Sequence, residues 1–143
     1  MKPIRLKITS LAWLGSALIG TSMGAVAAPS GACQQAVSTL ELNNCLDQAL
    51  RKSDADLLRA LQQVARKAAD VPSPAFASLW RQNLTGFFKT SANAQDQFNR
   101  FQSERRKLCA YAKSMSFQGT GYSSFILQCE LAFNHTLSEQ LKP

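Results

Sequence analysis

The chain has 143 residues, 16 Lys and Arg against 9 Asp and Glu, and a formal net charge of +7. That length makes one domain with room for a core, and the modest basic excess permits an anionic partner such as nucleic acid without demanding one. With a single histidine, His135, and no Cys-x-x-Cys pair among four cysteines, a structural metal site is excluded as the economical use of the thiols.

Lys2, Arg5 and Lys7 precede an apolar run from Leu11 to Ile19, and small residues follow through Gly24-Ala25-Val26-Ala27-Ala28. This is the pattern of a cleaved secretory signal peptide over residues 1–27, with cleavage after Ala27 or one residue later. The run is shorter than the roughly 20 apolar residues a membrane span needs. A lipid on Cys33 is disfavoured, because Ser30-Gly31-Ala32 lacks a leucine-like residue and the cysteine lies well beyond the apolar run. Residues 28–143 then form a single exported domain with thirteen basic side chains against nine acidic ones, a charge of +4, and no membrane contact is expected once the signal is removed.

All four cysteines lie in that part, and an even number in a small exported domain reads as two disulfides. Ser38-Thr39-Leu40-Glu41 is a capping box that starts a helix near Thr39. Cys33 and Cys45 are equidistant from Thr39. On one straight helix they would stand about 18 Å apart, so their pairing requires a bend between them.

From Thr39 to about Ala69 there is no proline or glycine, and Leu46, Leu50, Leu57, Leu61, Val64 and Ala68 recur at helical spacing, with Asp54 on the same stripe. The helix must stop by Val71, ahead of Pro72-Ser73-Pro74. Ser73 and Pro74 then open another, whose bulky inner face is expected to be Phe76, Leu79, Trp80, Leu84, Phe87 and Phe88, weakened at its end by Gly86.

Thr90 or Ser91 is expected to cap the following helix, with Ala94, Phe98, Phe101, Leu108, Ala112 and Met115 on one face and Arg105 inside that stripe. Gln118-Gly119-Thr120-Gly121 breaks it, the glycines supplying left-handed conformations for a C-cap. Ser123 or Ser124 caps a last helix with Ile126, Cys129, Phe133, Leu137 and Leu141 inward. Cys109 and Cys129 are equidistant from Gly119, so in an antiparallel helical hairpin they face each other and are well placed to bridge. No segment alternates like a strand. The expected fold is all-α, a compact disulfide-stapled bundle of about four main helices with a C-terminal helical hairpin.

Asp54 and Arg105 both interrupt apolar stripes, and an unpaired buried charge costs several kcal/mol, so the two are expected to meet as a structural ion pair. His135 beside Ser138 or Ser123 lacks a nucleophile elbow, paired carboxylates or a phosphate loop around it, so no catalytic residue and no cofactor-binding residue is assigned. The loop Phe117, Gln118, Gly119, Thr120, Gly121 and Tyr122 has two readings. Braced by the disulfide below, it is a stiff element presented to a protein partner; alternatively its glycines only reverse the chain and the aromatics fold back.

The framework of Cys33, Glu41-Leu42-Asn43-Asn44-Cys45, Asp54-Ala55-Asp56-Leu57, then Phe101, Arg105 and Cys109, the glycine turn and Cys129 resembles the LprI-like lysozyme inhibitors, exported bacterial domains with Glu-Met-Asn-x-Cys, Asp-x-x-Leu-Asn and spaced Trp, Arg and Cys. The likeness runs from Cys33 to Leu141, with Leu58, Leu61, Phe101 and Arg106 departing from the family's residues. It implies a periplasmic or secreted, non-enzymatic binding protein whose partner is a lysozyme or another envelope-directed enzyme, rather than nucleic acid. An immunity protein that neutralises a toxin from a neighbouring cell has the same size, export and crosslinks, and is the alternative.

Overall fold

The computed structural model describes residues 33–142; the expected signal peptide lies outside them. Four α-helices follow in order: α1 (Thr39–Ala69), α2 (Pro74–Gln82), α3 (Ala94–Ala112) and α4 (Tyr122–Gln140). A π-helical turn, Asn83–Phe87, extends α2, and a 3-10 turn, Ser114–Ser116, follows α3. No strand occurs among the described residues, and the fold is the expected all-α bundle closed by a hairpin of α3 and α4.

Both ends of α1 are where its sequence puts them. The Ser38 hydroxyl accepts the Glu41 amide at 3.2 Å, and the Glu41 carboxylate reaches back to the Val37 amide at 3.0 Å, one residue earlier than in a standard capping box. Arg66 and Lys67 sit in the last turn, where the helix dipole favours cations. Along its length α1 lies against α4 and α3, while α2 leans mainly on α1. Leu46 and Leu50 pack with Leu131 and Cys33 in the main core, flanked by Leu42, Cys45, Ala49 and Leu127. Leu57 and Phe98 are buried further along, whereas Val64 of the expected stripe is exposed.

The two disulfides pair as the spacing suggested. Cys33 joins Cys45 with Cα atoms 5.8 Å apart, and Cys109 joins Cys129 at 5.7 Å. Cys33 precedes α1, so the chain turns back between residues 33 and 38 to bring its sulfur alongside the helix.

Three local expectations are corrected. Asn93, rather than Thr90 or Ser91, caps α3: its side-chain oxygen accepts the Gln95 amide at 2.8 Å and the Asp96 amide at 3.2 Å, while Ser91 supports it by accepting the Asn93 amide and donating to Asp96. Helix α4 begins after Gly121 without a side-chain cap, because Ser124 is buried and donates to the Asn43 side chain at 2.6 Å. No described glycine takes a positive φ; among the described residues only Lys89 does (φ 52°), just beyond the π-helical turn. The chain reverses between α3 and α4 by successive tight turns, from Ser116 to Gly119 and from Gly119 to Tyr122, and so needs no left-handed glycine.

The expected apolar faces are also rotated. On α3, Phe98, Arg105 and Cys109 point inward, while Leu108 and Ala112, and Met115 in the 3-10 turn beyond, face solvent. On α4 the fully buried residues are Ser124, Glu130, Leu131 and Asn134, while Ile126, Cys129, Leu137 and Leu141 of the expected row are half-buried and Phe133 is exposed. On α2 only Trp80 and Leu84 of the expected inner set are half-buried, and Phe76, Leu79, Phe87 and Phe88 are exposed. The physical reason is that the polar cluster and the Cys109–Cys129 bridge set the rotation of α3 and α4, since polar groups must meet their partners and apolar contacts are interchangeable.

Candidate functional site

Where α1, α3 and α4 meet, the guanidinium of Arg105 is held by two of the three helices and is almost wholly out of solvent, its side chain 3% exposed. Its Nη1 donates to Asp54 Oδ1 of α1 at 2.6 Å and to the side-chain oxygen of Asn134 of α4, and Nη2 donates to Asp54 Oδ2 at 3.4 Å. Asn134 in turn donates through Nδ2 to Asp54 Oδ1 at 2.6 Å and to Ser53 Oγ at 3.2 Å. Gln102 donates to Asp54 Oδ2 at 2.7 Å, and the Phe101 ring lies under the guanidinium with 5.4 Å between Cζ and its centroid. Asp54 and Arg105 are thus brought together inside a network that also takes in Gln102, Asn134 and Ser53.

Glu130 completes the cluster on different terms. Its side chain is 1% exposed, its Oε1 lies 3.9 Å from Arg105 Nε, and neither Oε2 nor Arg105 Nε has a hydrogen-bond partner. Burial pushes the Glu130 carboxyl above its ordinary value of 4.5, against the pull of Arg105 and Arg106. For Asp54 burial acts in the same direction, but the bonds from Arg105, Asn134 and Gln102 outweigh it and hold the carboxyl below 3.8.

The signs of the two contributions are therefore opposite. Glu130 gives stability that is full below pH 4.5 and lost as pH rises through its raised folded value. Asp54 gives stability that is present above pH 3.8 and lost as pH falls through its depressed folded value. Glu130→Gln is expected to match the wild type in thermal denaturation near pH 4 and to exceed it at pH 7.5 by about 1 kcal/mol, a few degrees in Tm. A variant less stable than wild type at pH 7.5 would show that Arg105 needs the second negative charge.

This cluster fixes the relative rotation of three helices and faces inward, so it orders the surface without touching a partner. What it leaves outside is an apolar face on the hairpin. Leu108 and Ala112 at the end of α3 and Met115 in the 3-10 turn after it, spaced by four and three, form an outward stripe next to Tyr111. Met115 is 97% and Tyr111 81% exposed. Beside the stripe runs a groove of about 490 Å³ lined by Ala112, Phe125, Cys129, Ala132 and Phe133 together with the polar Lys113, Gln128 and Thr136. Exposed large apolar side chains gathered in one place mark a contact surface more often than chance.

The glycine loop stands at the end of this hairpin. Phe117 is exposed and stacks on Tyr122 with ring centroids 4.4 Å apart, and the Tyr122 hydroxyl donates to the Ala110 carbonyl at 3.4 Å. Tyr122 is thereby folded back while Phe117 stays out. Gln118, Gly119 and Thr120 are exposed and Gly121 half-buried. His135 is solvated and has Glu139 at 3.9 Å.

Asn134, Glu130 and Gln102 are not singled out by the sequence pattern, and Ser124, expected as a helix cap, instead binds Asn43. A signal for the first two was present: Glu130 and Asn134 are one helical turn apart and bracket Leu131, the way a polar pair enters a core beside an apolar anchor. It was masked by the more hydrophobic row through Phe133.

Comparison with known proteins returns one family. No curated protein matches the chain, and no solved structure does. The model of the family described as Lysozyme inhibitor LprI matches residues 30–141, a span that holds both disulfides, the buried cluster and all four helices, and the chain belongs to that family.

Proposed function

We propose that this protein is an exported lysozyme inhibitor that binds its target through the outer face of the α3–α4 hairpin. Membership of the family supports inhibition, and the two disulfides fit an oxidising compartment outside the cytoplasm. The observation that carries the choice of face is the apolar stripe of Leu108, Tyr111, Ala112 and Met115 beside the Phe125–Phe133 groove. Burying a side chain of that size is worth about 1.5–3 kcal/mol, so leaving several in water is costly unless a partner covers them. Phe117, braced by Tyr122, extends the face to the loop.

The described residues carry the whole +4 of the domain, so the contact depends on apolar burial more than on long-range attraction. The role is binding, with the Cys109–Cys129 bridge holding the two halves of the face in register.

The test is hydrolysis of peptidoglycan by lysozymes of several structural types, with the oxidised protein in micromolar excess. At least one is expected to be slowed, with little change between low and high salt. Tyr111→Ser combined with Met115→Ser is expected to weaken inhibition at least tenfold while leaving thermal stability within about 0.5 kcal/mol, the usual effect of an exposed substitution. Full inhibition by the double variant would move the contact to another face, and no inhibition of any lysozyme would end the proposal.

A further inference from the structure

Away from the hairpin, the segment from α2 through the π-helical turn carries a broad apolar face, only part of which is packed. Trp80 and Leu84 turn toward α1, lining a small cleft with Leu61, Val64 and Ala65. The rest of that apolar face, Phe76, Leu79, Phe87 and Phe88, meets solvent; Phe87 is 77% and Phe88 65% exposed. The two rings meet edge to face with their centroids 4.9 Å apart. With Ser78, Arg81, Gln82, Asn83 and Thr85 making up its polar side, the segment is amphipathic, and its apolar face is wider than α1 covers, which leaves the remainder open to a second apolar medium.

Charge says which medium. Between Asp70 and Asp96 the chain carries Arg81 and Lys89 and no acidic residue, and Arg66 and Lys67 close α1 just before it. Lys89 directly follows Phe88, in a left-handed conformation that bends the chain sharply at the end of the aromatic pair. Aromatic side chains that protrude, with cations around them and no carboxylate among them, are the composition of a segment that lies in the headgroup region of an anionic bilayer.

We propose that the α2 segment is a peripheral docking surface for an anionic lipid bilayer, with Phe87, Phe88 and Leu79 entering the acyl boundary and Arg81 and Lys89 meeting lipid phosphates. No helix of the described residues is long and apolar enough to cross a membrane, so the contact lies on the surface and departs from the sequence expectation of no membrane contact. The hairpin face is built from other helices, which leaves the lipid contact independent of the inhibitor reading.

The test is co-sedimentation of the oxidised chain from Ala28 onward, which contains every described element and both disulfides, with vesicles of phosphatidylcholine alone and of phosphatidylcholine with phosphatidylglycerol. Binding is expected only to the anionic vesicles and should weaken at least fivefold from 50 to 500 mM salt. Phe87→Ser with Phe88→Ser, and separately Arg81→Glu with Lys89→Glu, are each expected to cut the partition at least tenfold, with unchanged circular dichroism and unchanged lysozyme inhibition. Equal binding to both vesicle types, no binding to either, or full binding by both variants overturns the proposal. Concentration-dependent dimerisation that the Phe87/Phe88 variant abolishes, without lipid binding, would assign the face to a second copy and overturn it too.

Discussion

Arg105→Met is expected to be among the most damaging single substitutions in the chain, lowering stability by about 3–5 kcal/mol and Tm by roughly 10–20 °C. The substitution keeps the volume and removes the charge, so the loss would come from what remains. Asp54 would keep Asn134 and Gln102 but lose its cation, the Asn134 oxygen would lose its donor, and Glu130 would lose its nearest positive charge. Each is a polar group inside a three-helix junction, and an uncompensated buried group costs its full desolvation.

The size of the loss should depend on pH. As pH falls below 3.8 toward the depressed folded value of Asp54, the wild type loses the stability this carboxylate contributes, and the gap between variant and wild type should narrow. Thermal denaturation followed at pH 3 and pH 7.5 reads this directly. Pairing the change with Asp54→Asn is expected to cost much less than the sum of the two single variants, because the second change removes the charge the first one stranded. Additive losses would mean that the ion pair is not coupled, and the account of how the three helices are held would fail.

Loss of the Cys109–Cys129 bridge is expected to have a comparable effect. Replacing both cysteines by serine frees a loop of 20 residues, worth about 3 kcal/mol in chain entropy, and exposes a bridge whose Cys109 is fully buried. The Cys33–Cys45 bridge closes a loop of 12 residues, so the entropic model gives it slightly less. Its loss should release the segment before α1 and leave the hairpin in place. Denaturant titration of the two double-serine variants separates these outcomes. Inhibition should fall only in the Cys109/Cys129 variant, since Cys129 lines the groove on the hairpin. If both variants unfold at the wild-type denaturant concentration, the bridges are ornaments on a core that is sufficient without them.

The same two features show what could be read before any coordinates. Helix boundaries followed from residues that act locally: the Ser38 and Glu41 pair starts α1, and the prolines at 72 and 74 separate it from α2. Sulfur pairing followed from distance along the chain, because each bridge closes over its own turn and equidistant residues meet there. Asp54 and Arg105 announced themselves as charges out of place on apolar stripes.

Which way α2, α3 and α4 face was decided by the packed molecule. Hydrophobicity alone would have turned Leu108, Met115 and Phe133 inward, yet the interior positions go to Arg105, Glu130 and Asn134. A leucine gains nearly the same burial from any apolar neighbour, whereas a guanidinium gains only where its particular acceptors stand. Directional groups therefore set the rotation, and the apolar residues displaced by them became the outer surfaces on which the proposed contacts rest.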